Sequence, residues 1–143
     1  ATEELEAAFA EKPALHRFPA SMAGRTQKLC VALVEHHNGD PASIWVDVAS
    51  GAALVKRLKA LPGFGPEKSK IFVALLAKRF GVSPDGWEAA AGMFADDDVA
   101  RSVADVDGPA VLDEIRAYRA LLKAEGKGKQ GTTGKPSTTG DKK

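Results

Sequence analysis

The chain has 143 residues, of which 44% are hydrophobic, with 20 lysines and arginines against 19 aspartates and glutamates. This length suggests one domain with room for a core. One cysteine, Cys30, leaves no pair for an internal disulfide and no four-thiolate set for an iron–sulfur cluster or structural zinc, and no apolar run approaches the ~20 residues that span a bilayer.

Aromatics are scarce at 6%, and leucine, alanine, lysine and glutamate dominate, so the expected fold class is all-α. Thr2 to Phe9 reads as a short helix with Glu3, Glu4 and Glu6 near its positive end, broken at Lys12-Pro13. After the connector His16-Arg17-Phe18-Pro19, a longer helix is expected from about Ala20 to His37. Its expected apolar stripe is Met22, Leu29, Cys30, Leu33 and Val34, and Asn38-Gly39-Asp40 is its stop signal. Pro41 to Val46 is read as one further turn. Ser50 is placed to cap the next helix, which would bury Leu54, Val55 and Leu58. Another helix, Pro66 to about Phe80, would bury Ile71, Phe72, Leu75 and Leu76 and end at Gly81. Ser83-Pro84 reads as a helix start anchored by Trp87, and Ala95-Asp96-Asp97-Asp98 as a solvated loop. Asp107-Gly108-Pro109 opens a last helix with Val111, Ile115, Tyr118 and Leu122 on one face. The expected folded domain is 1–122. Residues 123–143, rich in Lys, Gly and Thr without apolar side chains, are expected to form a disordered basic tail.

Charge is unevenly distributed along the chain. Residues 1–55 carry a net −3 and residues 80–122 a net −6. Residues 56–79 carry Lys56, Arg57, Lys59, Lys68, Lys70, Lys78 and Arg79 against Glu67, a net +6, and the tail carries +4. The positive segment is centred on Leu61-Pro62-Gly63-Phe64-Gly65-Pro66, a hairpin between two helices in the unit 51–80. Gly63 and Gly65 let the backbone turn and a ligand approach closely. Pro66 suits the first position of the second helix. The free amides of a hairpin and a helix start form an anion cradle, and lysines around one suggest nucleic acid.

The run Leu61-Pro62-Gly63-Phe64-Gly65 resembles the helix-hairpin-helix of base-excision DNA glycosylases, the endonuclease III-like superfamily. Arg25 to Cys30, Glu35-His36-His37-Asn38-Gly39 and the connection into Leu58-Lys59-Ala60 resemble the helix that leads into that hairpin. The resemblance is to an actinobacterial-type HhH-GPD branch. It implies a helical DNA-repair fold whose partner is double-stranded DNA, held by Leu61, Pro62, Gly63, Phe64 and Gly65 with Lys68 and Lys70 nearby. Such contacts position the duplex and carry no sequence information. The implied protein is a cytoplasmic, nucleoid-associated monomer with no cofactor, no iron–sulfur cluster and no membrane partner. The family's N-terminal helices, which fill the gap in the duplex, have no counterpart before Thr2.

The family's chemistry flips a damaged base into a pocket and uses a carboxylate there. Counting from Gly65, that carboxylate falls on Asp85, with Glu88 as the other possibility; an acid at a helix start also has an ordinary role in the helix dipole. The Schiff-base lysine of bifunctional members would fall on Glu67, and lysine comes one residue later, rotated by ~100° on a helix. The implied enzyme is therefore a monofunctional DNA glycosylase, a hydrolase. The alternatives are a helix-hairpin-helix DNA-binding module without glycosylase chemistry and, third, a helical interaction scaffold. Cys30, Trp45 and Trp87 read as core. His36 and His37 read as caps of a helix terminus, since three histidines without ligand spacing make no metal site.

Overall fold

The computed structural model describes residues 2–126. These residues are helical and include no strand. Helix α1 spans Thr2–Ala10 and α2 spans Pro19–His37. A 3-10 turn, Pro41–Ile44, leads to α3, Gly51–Lys59, and then α4, Pro66–Phe80. The short α5, Trp87–Ala91, runs into a 3-10 turn at Gly92–Phe94; another follows at Val103–Asp105, before α6, Pro109–Ala124.

Local chemistry accounts for most boundaries. Proline occupies the first turn of α2, α4 and α6, where its missing N–H costs nothing. The Ser50 hydroxyl accepts the Ala53 N–H at 3.2 Å and caps α3. Asn38 and Gly81 take left-handed conformations that end α2 and α4. The start of α5 differs from expectation: Pro84, Asp85 and Gly86 form a turn, Gly86 is the N-cap, and the helix begins at Trp87. Helix α6 runs two residues past the expected boundary at 122, and the expected tail lies, from residue 127, outside the described residues.

The core lies around α3 and α4. Ile44, Leu54, Leu58, Leu61, Val73, Ala74, Leu76, Ala91 and Ala104 are buried together, with Leu29, Leu33, Trp45, Phe64, Phe72 and Trp87 packed against them. Val111, Ile115, Tyr118 and Leu122 are the sheltered positions of α6, as their spacing predicts, with Ile115 buried and the other three half-buried. Helix α1 buries no residue and packs on α2.

The expected stripe of α2 needs correction. Leu29 and Leu33 face the core, but Cys30 is exposed and Val34 is 66% exposed. Each follows an inward residue by one position, and one residue turns a side chain by ~100° away. The helix carries two adjacent apolar rows, and only the Leu29–Leu33 row packs against the buried cluster.

Candidate nucleic-acid interface

The hairpin begins inside the core. Leu61 is 7% exposed, and Phe64 meets Phe72 edge-on at 5.5 Å. Around these two anchors the backbone rises to the surface: Pro62 and Gly63 between them, and Gly65 and Pro66 after them, are exposed. Gly63 needs its glycine, since its φ of 81° is a left-handed conformation that a side chain would strain. The turn is closed by the Phe64 N–H donating to the Leu61 carbonyl at 3.2 Å. Ser69, fully buried on α4, donates both its amide and its hydroxyl to the Gly65 carbonyl, at 3.0 and 2.9 Å.

With those bonds counted, the amides of Gly63, Gly65, Glu67 and Lys68 have no acceptor among the described residues, and no side chain caps α4. They cluster at the positive end of a 15-residue helix. Gly65 has φ −82° and ψ 176°, backbone that any residue adopts, and a Cβ built there would meet nothing within 4 Å. Neither conformation nor packing within the chain requires glycine at 65.

The cations around this corner divide into two sets. Arg57 donates through one nitrogen to the carbonyls of Ser43, Ile44 and Val46, at 3.4, 3.2 and 3.1 Å. Lys78 is paired with Asp105 at 2.7 Å and Asp97 at 3.0 Å, and Arg79 donates to the Ala104 carbonyl at 3.0 Å. These three basic residues hold the fold together and do not arm the hairpin. Lys68 bends back: its ammonium donates to the Gly63 carbonyl at 2.7 Å and lies 5.5 Å from the centre of the Phe64 ring. An ammonium has three donors, so two remain. Lys56, Lys59 and Lys70 are exposed. The positive cluster read from residues 56–79 is thus smaller at the corner than its +6 suggests.

Lys78 and Asp105 form the most sheltered ion pair among the described residues, with side chains 10% and 11% exposed. Burial alone would lower the Lys78 pKa, but its bonds to Asp105 and Asp97 outweigh that and raise it. Burial likewise pushes Asp105 up, and the Lys78 bond together with the Arg101 and Ser102 amides brings its carboxyl below the usual value. Nearby, Arg101 reaches the Met93 carbonyl and Asp96 and lies over the Tyr118 ring.

Asp85 is placed apart from the hairpin. It precedes α5, its side chain is exposed, and its carbonyl accepts the Gly51 N–H at 2.9 Å. Gly51 opens α3 and the hairpin follows α3, so the length of that helix, ~13 Å, separates them. Glu88 is exposed in the first turn of α5. Of the histidines, His36 and His37 lie in the last turn of α2, at its negative end as expected; His37 shares a 2.8 Å hydrogen bond with Ser43, and His36 is 4.0 Å from Glu35. No group of acids, histidines and cysteine among the described residues could hold a metal ion, and no helix among them is long and apolar enough to cross a membrane.

Sequence reasoning missed Ser69, although it lies on the same face of α4 as Val73 and Leu76, four and seven residues on, and that spacing was available to find it. Compared with family models, with curated proteins and with solved structures, the chain matches none.

Proposed function

We propose that this chain binds double-stranded DNA through the hairpin and works in base-excision repair as a monofunctional DNA N-glycosylase of the helix-hairpin-helix type. The observation that carries the reading is the outward corner at 62–68, with four main-chain donors unused and open space at Gly65. Such donors at a helix start suit a phosphate oxygen. A glycine that the chain itself does not require suits a site where another molecule's backbone comes close. Lys68, fastened over Phe64, adds fixed positive charge beside it.

A second reading has its own observation. The Asp85 carbonyl is built into the α3–α5 contact and its carboxylate stands a helix length from the hairpin, while Glu67 occupies the Schiff-base position. This favours a DNA-binding module without glycosylase chemistry.

Gly65→Asp tests the binding. An aspartate there caps the Glu67 and Lys68 amides, so the fold should gain a few tenths of a kcal/mol. The same carboxylate occupies the cradle with negative charge, so affinity for duplex DNA should fall at least about tenfold, since a charge-assisted bond worth ~1.5–3 kcal/mol is replaced by repulsion. Wild-type affinity in a well-folded Gly65→Asp variant removes the hairpin from the interface. Release of free base from duplexes carrying alkylated, oxidised or deaminated bases separates the enzyme from the module.

A further inference from the structure

An open groove of about 510 Å³ runs beside the hairpin, between it and the outer face of α2. Its floor is Gly24, Val31, Ala32 and Pro62, and Pro62 is also a wall of the hairpin corner. At the end nearest α1 it presents hydrogen-bond donors. The Gln27 carbonyl oxygen accepts the Thr2 hydroxyl at 2.9 Å, which leaves its NH2 group as two donors. Lys28, next to it, is exposed, and its ammonium has no partner among the described residues. Glu35 and His36, 4.0 Å apart, also line the groove, seven and eight residues beyond Lys28 along α2, about two helical turns away.

We propose that this groove is a second phosphate-binding site, in which Gln27 and Lys28 hold the sugar–phosphate backbone of the strand whose neighbouring phosphate lies on the hairpin amides. The inference rests on the proposed DNA binding at the hairpin and extends it to α2. Three observations favour this occupant over a protein segment. The groove is continuous with the corner through Pro62. At the Gln27–Lys28 end a cation stands beside an amide whose oxygen already accepts the Thr2 hydroxyl, a pair that presents donors to phosphate oxygens. Its floor of glycine, alanine, valine and proline is smooth enough for a sugar edge and lacks the deep aromatic or leucine pockets that anchor a docked helix.

The test measures affinity of the full chain for a fluorescein-labelled 20-base-pair duplex across a salt series. It compares wild type with Gln27→Met, Lys28→Met, Gly65→Asp and, as a charge control remote from the groove, Lys123→Met. Loss of one phosphate contact should lower the slope of log affinity against log salt by about 0.9 in Lys28→Met and weaken binding at low salt several-fold, with no such change in Lys123→Met. Gln27→Met, which carries no charge change, should weaken binding with its slope unaltered. Equal losses in Lys28→Met and Lys123→Met overturn the site, since only overall charge would then matter. Normal binding by both groove variants alongside loss in Gly65→Asp also overturns it and leaves the hairpin reading standing. Loss in the groove variants with normal binding by Gly65→Asp removes the hairpin and overturns the shared-strand arrangement, since no neighbouring phosphate would then lie on its amides. Circular dichroism confirms that each variant is folded.

Discussion

Gly51, which opens α3, and Gly63, in the hairpin after it, are each required for a different physical reason. Gly51 is required by packing: a Cβ there would lie 2.6 Å from the Trp87 Cα, 2.8 Å from the Gly86 carbonyl oxygen and 2.9 Å from the Ala90 Cβ. Backbone atoms cannot step aside as a flexible side chain can. Gly51→Ala should therefore destabilise the fold by roughly 1–3 kcal/mol, the usual range for overpacking, and urea denaturation should show it as a lower midpoint. An unchanged midpoint would mean that α3 and α5 are less tightly apposed. Nothing local in Ser50-Gly51-Ala52 announces this contact; the glycine reads as an unremarkable first helical residue. Gly63 was legible because a turn between two helix patterns must reverse the chain somewhere, and Pro-Gly marks the place.

At the scale of elements, caps and stops were readable and cross-links were not. Ser50, Pro66, Gly81 and Pro109 act through neighbours within four residues, so their roles lie in the local sequence. The partners of Arg57, Lys78 and Arg79 lie 11 to 27 residues away and include main-chain carbonyls, which no residue pattern reveals. The Lys78–Asp105 clasp fastens α4 to the 3-10 turn at Val103–Asp105, and it gives stability a pH window. Asp105 has its folded pKa below the ordinary value of 3.8, so its contribution is present above about pH 4 and is lost as pH falls through the folded value. Lys78 has its folded pKa above 10.5, so its contribution is present below that pH and is lost as pH rises through the folded value. Melting temperature should stay level between about pH 5 and 9 as far as this pair is concerned, and fall on either side. Asp105→Asn should lower stability within the plateau by roughly 2–3 kcal/mol for a partly screened pair, with a matching fall in melting temperature, and should flatten the acid limb. A variant that melts like wild type at pH 7 would show the clasp to be energetically idle.

For the molecule as a whole, the all-helical class and the order of elements followed from hydrophobic spacing, while the orientation of α2 did not. Two apolar rows one residue apart, Leu29 with Leu33 and Cys30 with Val34, fit the same helical period, and only the position of the rest of the core decides between them. The candidate site was legible as a corner with glycines and lysines. How many of those lysines are spoken for depended on the tertiary fold. Stability should be graded across the molecule in the same way. Helix α1 buries nothing, whereas Val73, Ala74 and Leu76 of α4 are almost fully enclosed. Native-state hydrogen exchange should find α1 amides opening locally at a small fraction of the free energy that protects the centre of α4. Uniform protection across both helices would contradict that gradient.

The open space beside Gly65 has a consequence for how this position responds to selection. A library varied at 65 and sorted only for heat resistance would drift toward aspartate, serine or asparagine, because every one of them suits a helix cap better and none collides with the chain. If the hairpin grips DNA as proposed, the same library sorted instead for retention on immobilised DNA would return to glycine. The two enrichments would run in opposite directions at a single codon, and their difference would measure how much of this surface belongs to something other than the protein.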